Sequence, residues 1–341
     1  DLADFQSNGA LAAAKALTKE PDAGRLPLLD KALAQETNDK IKTQLELARA
    51  ATLLDSDDAA QRIAAAQALS LSATPDTRLL LNERVTVEED AKVKAALQAA
   101  LRAIDGQLAW GERLGAAFSG ISLGSILLLV ALGLAITYGL MGVINMAHGE
   151  LMMIGAYATY VVQVLFPKYP PGAFDGYLLA AVPVAFMASA LVGAALERSV
   201  IRFLYGRPLE TLLATWGISL MLMQLVRTLF GAQNVGVENP SWMSGGVQLL
   251  GNLSLPYNRL VIVGFAVAVL AGVWFLIEKT RLGPFVRGVT QNRPIASCMG
   301  VNTARIDTYA FALGPGIAGL AGCALSQVGH LGPDLAQGYI V

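Results

Sequence analysis

The sequence predicts an all-α protein: a polytopic membrane helical bundle with an N-terminal soluble helical domain. Three observations carry that reading. From Leu114 to Ala147 there is no charged side chain, and a helix needs only about 20 apolar residues to cross the hydrocarbon core. Only 15% of the 341 residues are charged and 54% are hydrophobic, whereas soluble domains carry about 25% charged residues. The charge is also uneven: residues 1–113 hold more than half of it, and the remainder is nearly bare. A net charge of −1 gives no electrostatic footprint for nucleic acid.

Taken in order, residues 1–105 read as the soluble helical domain. Val93, Ala96, Leu97, Ala100, Leu101 and Ile104 recur at helical spacing with charges between them, as do Ile41, Leu45 and Ala48. Pro27 and Pro75 punctuate the helices. Asp58, Ala59, Arg62, Ala64, Ala68 and Leu69 correspond to Asp90, Ala91, Lys94, Ala96, Ala100 and Leu101 at a constant offset. A period of that size suits stacked helical hairpins of the HEAT type, although alanine-rich helices also match by chance. The chain begins at Asp1, and a removed signal peptide would account for that and export this domain.

Residues 106–341 read as the transmembrane domain, with six spans expected at 116–138, 143–166, 177–197, 210–230, 259–278 and 305–329. Arg198, Arg202 and Arg207 follow the third span. Lys279, Arg281, Arg287, Arg293 and Arg305 follow the fifth. The alternate loops hold few such residues, with Lys168 alone in the first. The positive-inside rule puts the basic loops in the cytoplasm and the N-terminal domain outside. Gly120/Gly124 and Ala318/Gly322 are small-xxx-small pairs suited to close helix contact. Pro183 and Pro315 are expected to kink or break their helices.

Two constellations stand out. In Gly139–Glu150 three glycines weaken the helix, while Asn145, His148 and Glu150 bring amide, imidazole and carboxylate groups. A broken helix beside a solute path presents such groups away from lipid, and a solvated turn between two spans is the competing reading. His148 and Glu150 are two apart, which is not one helix face and excludes a metal pair of the H-E-x-x-H kind. The second constellation is residues 278–301, where Arg287, Gln291, Asn292 and Arg293 alternate with apolar residues. Such a segment lies along a membrane surface or docks into a groove of a soluble partner. No cluster of metal-ligating residues is visible, and Cys298 and Cys323 read as two unpaired thiols. A Ser119/His330 dyad for an intramembrane enzyme lacks anything that brings the two together.

Residues 114–341 resemble the permease subunits of bacterial ATP-driven importers for urea and branched-chain amino acids. GLAITYGLMGVINMAHGELMMIGAY (133–157) and RGVTQNRPIASCMGVNTARIDTYAFALGPGIAGLAG (287–322) carry the resemblance, and RPLETLLATWGISLMLMQLVRTLFGAQN (207–234) is similar to the urea branch. That branch also tends to carry an extra exported helical domain. The resemblance implies a multi-pass protein of the bacterial inner membrane with no catalytic residues and no cofactor of its own. ATP would be bound by cytoplasmic ATPase subunits, consistent with the lack of a G-x-x-x-x-G-K-[ST] loop. A second permease subunit and an extracytoplasmic substrate-binding protein are the other implied partners. Arg287, Gln291, Asn292, Arg293 and Gly300 match the stretch through which the family engages its ATPase. Family members run on past Val341 with further spans, so the transmembrane domain is expected to be C-terminally incomplete. For urea, a neutral planar solute, Thr137, Asn145, His148, Glu150, Ser219 and Gln224 are the candidate pathway residues. A branched-chain amino acid importer and a passive urea channel are the alternatives.

Overall fold

The computed structural model describes residues 2–19, 22–72, 74–167, 174–250, 253–329 and 331–332; Lys168 and His330 lie outside them. The described chain is helical apart from one small two-stranded sheet, β1 (Gly246–Leu250) and β2 (Leu253–Pro256). It divides into two compact units, 1–117 with 247–255 and 118–246 with 256–341.

The first unit contains α1 (Leu2–Lys19), α2 (Leu26–Gln35), α3 (Asp39–Leu53), α4 (Ala59–Leu69), α5 (Pro75–Val87) and the first half of α6 (Ala91–Met141). Its helix starts are written in side chains. Asp58 Oδ1 accepts from Ala60 N at 2.9 Å, Asp90 Oδ1 accepts from Lys92 N at 2.8 Å, and Thr74 caps α5 ahead of Pro75. Each cap satisfies an amide the helix cannot, typically stabilising by about 1 kcal/mol. Leu54, Leu69, Leu81, Val93, Leu97 and Ile104 form one core, and Ile41, Leu45 and Ala48 belong to a second. Glu88 is buried and paired with Arg62 (3.2 Å) and Arg84 (3.5 Å), so the charge taken from water is met by two guanidinium groups.

The second unit is built around α13 (Thr303–Ser326), which packs against α7 (His148–Leu165) and α8 (Tyr177–Ser199). From Ala310 to Ser326 every residue of α13 but Ala312 is buried. This contact works through missing side chains. A methyl at Gly322 would overlap the Met152 carbonyl on α7, and one at Gly319 would overlap Ser189 on α8. At Gly193 it would stand 2.6 Å from Pro315 Cγ. Small residues let the backbones approach until dispersion replaces lipid. α10 (Tyr257–Lys279) adds Ile262, Ala266 and Val273 to the core that α6 and α13 share. α9 (Pro208–Phe230) meets α7 through Val226, Met153 and Tyr157. At the end of the bundle opposite the basic loops, Asp175 accepts from Ser241 N (2.8 Å) and Oγ (2.6 Å), and Tyr177 OH lies 2.8 Å from Glu238 O.

Some expectations change. Among the described residues, five helices are long and apolar enough to cross a membrane: 91–139, 174–199, 208–230, 257–279 and 303–326. The span expected at 143–166 is realised as α7, which starts only at His148 after the irregular residues 142–147 and is not among the five, because its 18 residues include His148, Glu150 and Gln163. α6 runs unbroken through residue 105 to Met141. Neither proline ends its helix; both sit inside continuous α8 and α13. At Pro315 the close approach of Gly193 gives the ring a fitted neighbour instead of lipid. The two small-xxx-small patterns also part company: Gly322 is in tight contact, while Gly120 and Gly124 have no neighbour within 4 Å. Cys298 is exposed and Cys323 buried, with no disulfide between them.

Candidate functional site

α6 ends at Met141, and Gly142 follows with a φ of +65° that favours a residue without a Cβ. Its N–H still bonds Tyr138 O at 2.8 Å, and the chain then leaves the helix. The loop that follows is not a solvated turn. Val143, Asn145, Ala147, His148 and Glu150 are all buried. Thr215 of α9 holds it: its Oγ1 accepts from Met146 N at 3.2 Å and lies 3.4 Å from Ile144 O.

Asn145 Oδ1 accepts from Ala147 N at 3.1 Å, which identifies the oxygen and leaves Nδ2 as the other amide atom. His148 Nε2 lies 3.1 Å from Val130 O. A carbonyl only accepts, so Nε2 carries a proton, and Nδ1 of the neutral ring is an acceptor. Asn145 Nδ2 and His148 Nδ1 have no hydrogen-bond partner among the described residues, although their residues are 3% and 1% exposed. An unmet buried polar atom costs about 1–3 kcal/mol, so a donor and an acceptor left open three residues apart are suited to a small solute carrying both functions. Glu150 stands in the first turn of α7, where the helix dipole favours a carboxylate.

Thr137 and His148 flank one tight contact. A methyl at Gly314 would meet Thr137 Cγ2 at 2.5 Å, and one at Gly133 would meet the His148 ring at 3.1 Å. The Thr137 hydroxyl is already engaged within its helix, 2.9 Å from Leu134 O. Ser219 is buried on α9, whereas Gln224 is exposed on that helix and is not brought to the loop.

The segment after α10 folds as two short helices, α11 (Leu282–Gln291) and α12 (Arg293–Cys298). Three of its five candidate residues have structural duties. Asn292 caps α12 by accepting from Ile295 N at 3.1 Å. Gly300, at φ +83°, closes α12, with Gly300 N bonded to Ser297 O and Val301 N to Ala296 O. Arg293 pairs with Asp307 of α13 at 2.8 Å and stacks over the Tyr205 ring at 5.3 Å. Arg287 and Gln291 are exposed on α11.

Beside this segment lies a polar network that sequence reasoning missed. Glu197, at the end of α8, is completely buried. Arg202 reaches its two oxygens at 3.3 and 3.2 Å, Tyr205 OH donates at 3.2 Å and Thr308 Oγ1 at 2.8 Å. Burial first, then the Glu197 and Asp307 charges, push the Tyr205 phenol well above its ordinary range, so it stays a donor. Val143, Ile201 and Phe311 form a small buried cluster with Tyr205 against it, which joins the network to the 142–150 loop. One signal was available: Glu197 and Asp307 are acids at the ends of apolar spans, next to arginine-rich loops, and acids there need partners.

The family model described as "Branched-chain amino acid transport system / permease component" matches residues 116–338. Among curated proteins, the chain is similar to the high-affinity branched-chain amino acid transport system permease protein LivH of Escherichia coli (strain K12), 30% identical over 220 residues that cover 62% of this chain and 69% of that one. BraD, the corresponding permease protein of Pseudomonas aeruginosa, is 26% identical over 223 residues, 64% of this chain and 72% of its own. A probable branched-chain amino acid transport permease protein of Methanocaldococcus jannaschii is 26% identical over 229 residues, with 64% and 67% covered. No solved structure matches.

Proposed function

The chain belongs to the branched-chain amino acid transport system permease family, and on that premise we propose that it is the permease subunit of an ATP-driven importer that moves urea across the bacterial inner membrane. The observation that carries the reading is the buried loop at 142–150, with an amide and an imidazole nitrogen that have no hydrogen-bond partner among the described residues. Urea offers four N–H donors and one carbonyl acceptor and bears no charge. It can meet both atoms, and the nearby buried carboxylate of Glu150 does not repel it as it would repel the carboxylate of an amino acid. Thr137, Ser219 and Gln224 complete the proposed pathway set, with Gln224 exposed on α9. The relatives' names favour a second reading, in which the solute is a branched-chain amino acid held by an anion site and an apolar pocket.

In either reading a separate substrate-binding protein delivers the solute, a second permease subunit completes the conduit, and ATP is bound by cytoplasmic subunits. The ATPase docks on 282–300 through Arg287 and Gln291, while Asn292, Arg293 and Gly300 hold that surface in shape. The basic loops face the cytoplasm. Residues 1–105 form an exported soluble domain of stacked helical hairpins, and its role is to meet the binding protein.

The test is uptake of radiolabelled urea against radiolabelled leucine in vesicles holding the complete complex. ATP-dependent urea uptake that unlabelled leucine does not compete is the expected result; leucine uptake alone would transfer the assignment to the second reading. Asn145→Leu should lower urea uptake by roughly tenfold or more, as when a site built to hydrogen-bond its solute loses that bond, with ATPase co-purification intact. Normal uptake by that variant would return the loop to a purely structural role.

A further inference from the structure

The docking segment packs on α13 through Val286, Val289, Ala296, Ile306 and Ala310, and a polar tie adds to that apolar contact. Arg293 Nη2 lies 2.8 and 2.9 Å from the two oxygens of Asp307, and its guanidinium sits over Tyr205. Asp307 and Thr308 are neighbours on α13, yet they are held by different groups, Asp307 by α12 and Thr308 by Glu197 of α8. Tyr205 touches both systems: its ring face meets Arg293 and its hydroxyl meets Glu197. The same ring packs against Val143, Ile201 and Phe311. One guanidinium nitrogen meets both Asp307 oxygens while the guanidinium carbon lies over the Tyr205 ring, and a lysine ammonium has no planar group to span the two contacts. Glu197 cannot move outward without exposing four hydrogen bonds to rearrangement, since it is wholly buried and bonded by Arg202, Tyr205 and Thr308.

We infer that Tyr205, clasped between Arg293 and Glu197, is the joint through which displacement of α11–α12 reaches the 142–150 loop. Tyr205, Asp307 and Glu197 are positioning residues: they touch neither solute nor nucleotide. When α12 shifts as a body, the Asp307 pair draws the start of α13 with it, and the stacked ring carries the shift to Phe311 and Val143. A partner can bias two states of the bundle only if its contacts differ between them; the joint makes the loop part of that difference. This inference rests on the importer reading.

The experiment uses the complete reconstituted complex in a Cys298→Ser background with Ile144→Cys as a reporter, because Ile144 lies in the loop and is partly exposed. The native joint should give a labelling rate that changes between nucleotide-free and ATP-bound complex. Tyr205→Phe keeps the stack and loses the bond to Glu197; Asp307→Asn keeps the shape and loses the ion pair. Each is expected to keep ATP hydrolysis while the nucleotide-dependent change in labelling falls by roughly fivefold or more, the loss of a coupling of ordinary size. Arg293→Lys, which retains charge but not the planar group over the Tyr205 ring, serves if either variant fails to insert. A full nucleotide response in these variants overturns the joint. If the native complex itself shows no response to nucleotide, the importer reading fails instead, so the two failures are distinct.

Discussion

α13 and α10 are both apolar helices of crossing length, and they are used in opposite ways. α10 contains the most apolar stretch among the five candidate spans and α13 the least, yet 17% of that stretch of α10 is buried within the chain and 89% of that of α13. In water, the greasiest helix would sit in the core. In lipid, apolar side chains gain nothing by leaving the tails, and helices associate by fit and by internal polar contacts. α13 is therefore written largely in Gly and Ala, with a few polar residues at its start, while α10 is written in Val, Leu, Phe and Trp. Hydropathy marks which helix faces outward, and smallness marks which one holds the bundle together.

Three substitutions test that contrast. Gly322→Ala should have the largest effect, since even a methyl overlaps the Met152 backbone of α7 and neither helix can yield locally. Overpacking of this kind costs about 1–3 kcal/mol or more, read as a marked drop in the thermal midpoint of the detergent-solubilised protein and a loss of uptake; a wild-type midpoint would show that the α7–α13 contact is loose. Ser189→Ala comes next. It removes the 2.8 Å bond from α8 to the Leu151 carbonyl on α7, buried throughout, and polar contacts between membrane helices average about 0.6 kcal/mol. A small but measurable fall in the same midpoint is expected, and an unchanged one would assign all of the α7–α8 fit to shape. Gly272→Ala on α10 should be the mildest, neutral or stabilising by up to about 0.5–1 kcal/mol from helix propensity alone, because nothing lies within 4 Å of the added carbon. If it instead releases the second permease subunit on size-exclusion chromatography, α10 faces protein and not lipid.

The same contrast explains what could be read in the chain beforehand. Long apolar runs and the odd chemistry of Asn145, His148 and Glu150 are local facts, and the sequence states them openly. Gly120/Gly124 and Ala318/Gly322 spell the same pattern, but only Gly322 faces a backbone, because that depends on where another helix runs. Pro315 reads as a breaker until Gly193 is found beside it. The Glu197 network joins residues up to 111 positions apart, and no periodicity records such a pairing. The polar loop itself was legible; its burial was not, since a turn between two spans is solvated unless a third helix, here α9 through Thr215, closes over it.

The Asn292 and Gly300 caps give α12 its form without help from any visitor. Fixing a backbone residue costs about 1–2 kcal/mol in conformational entropy, and for this segment that loss is incurred when the chain first folds. If the proposed docking on this segment holds, the partner meets a preorganised knob whose shape is already decided.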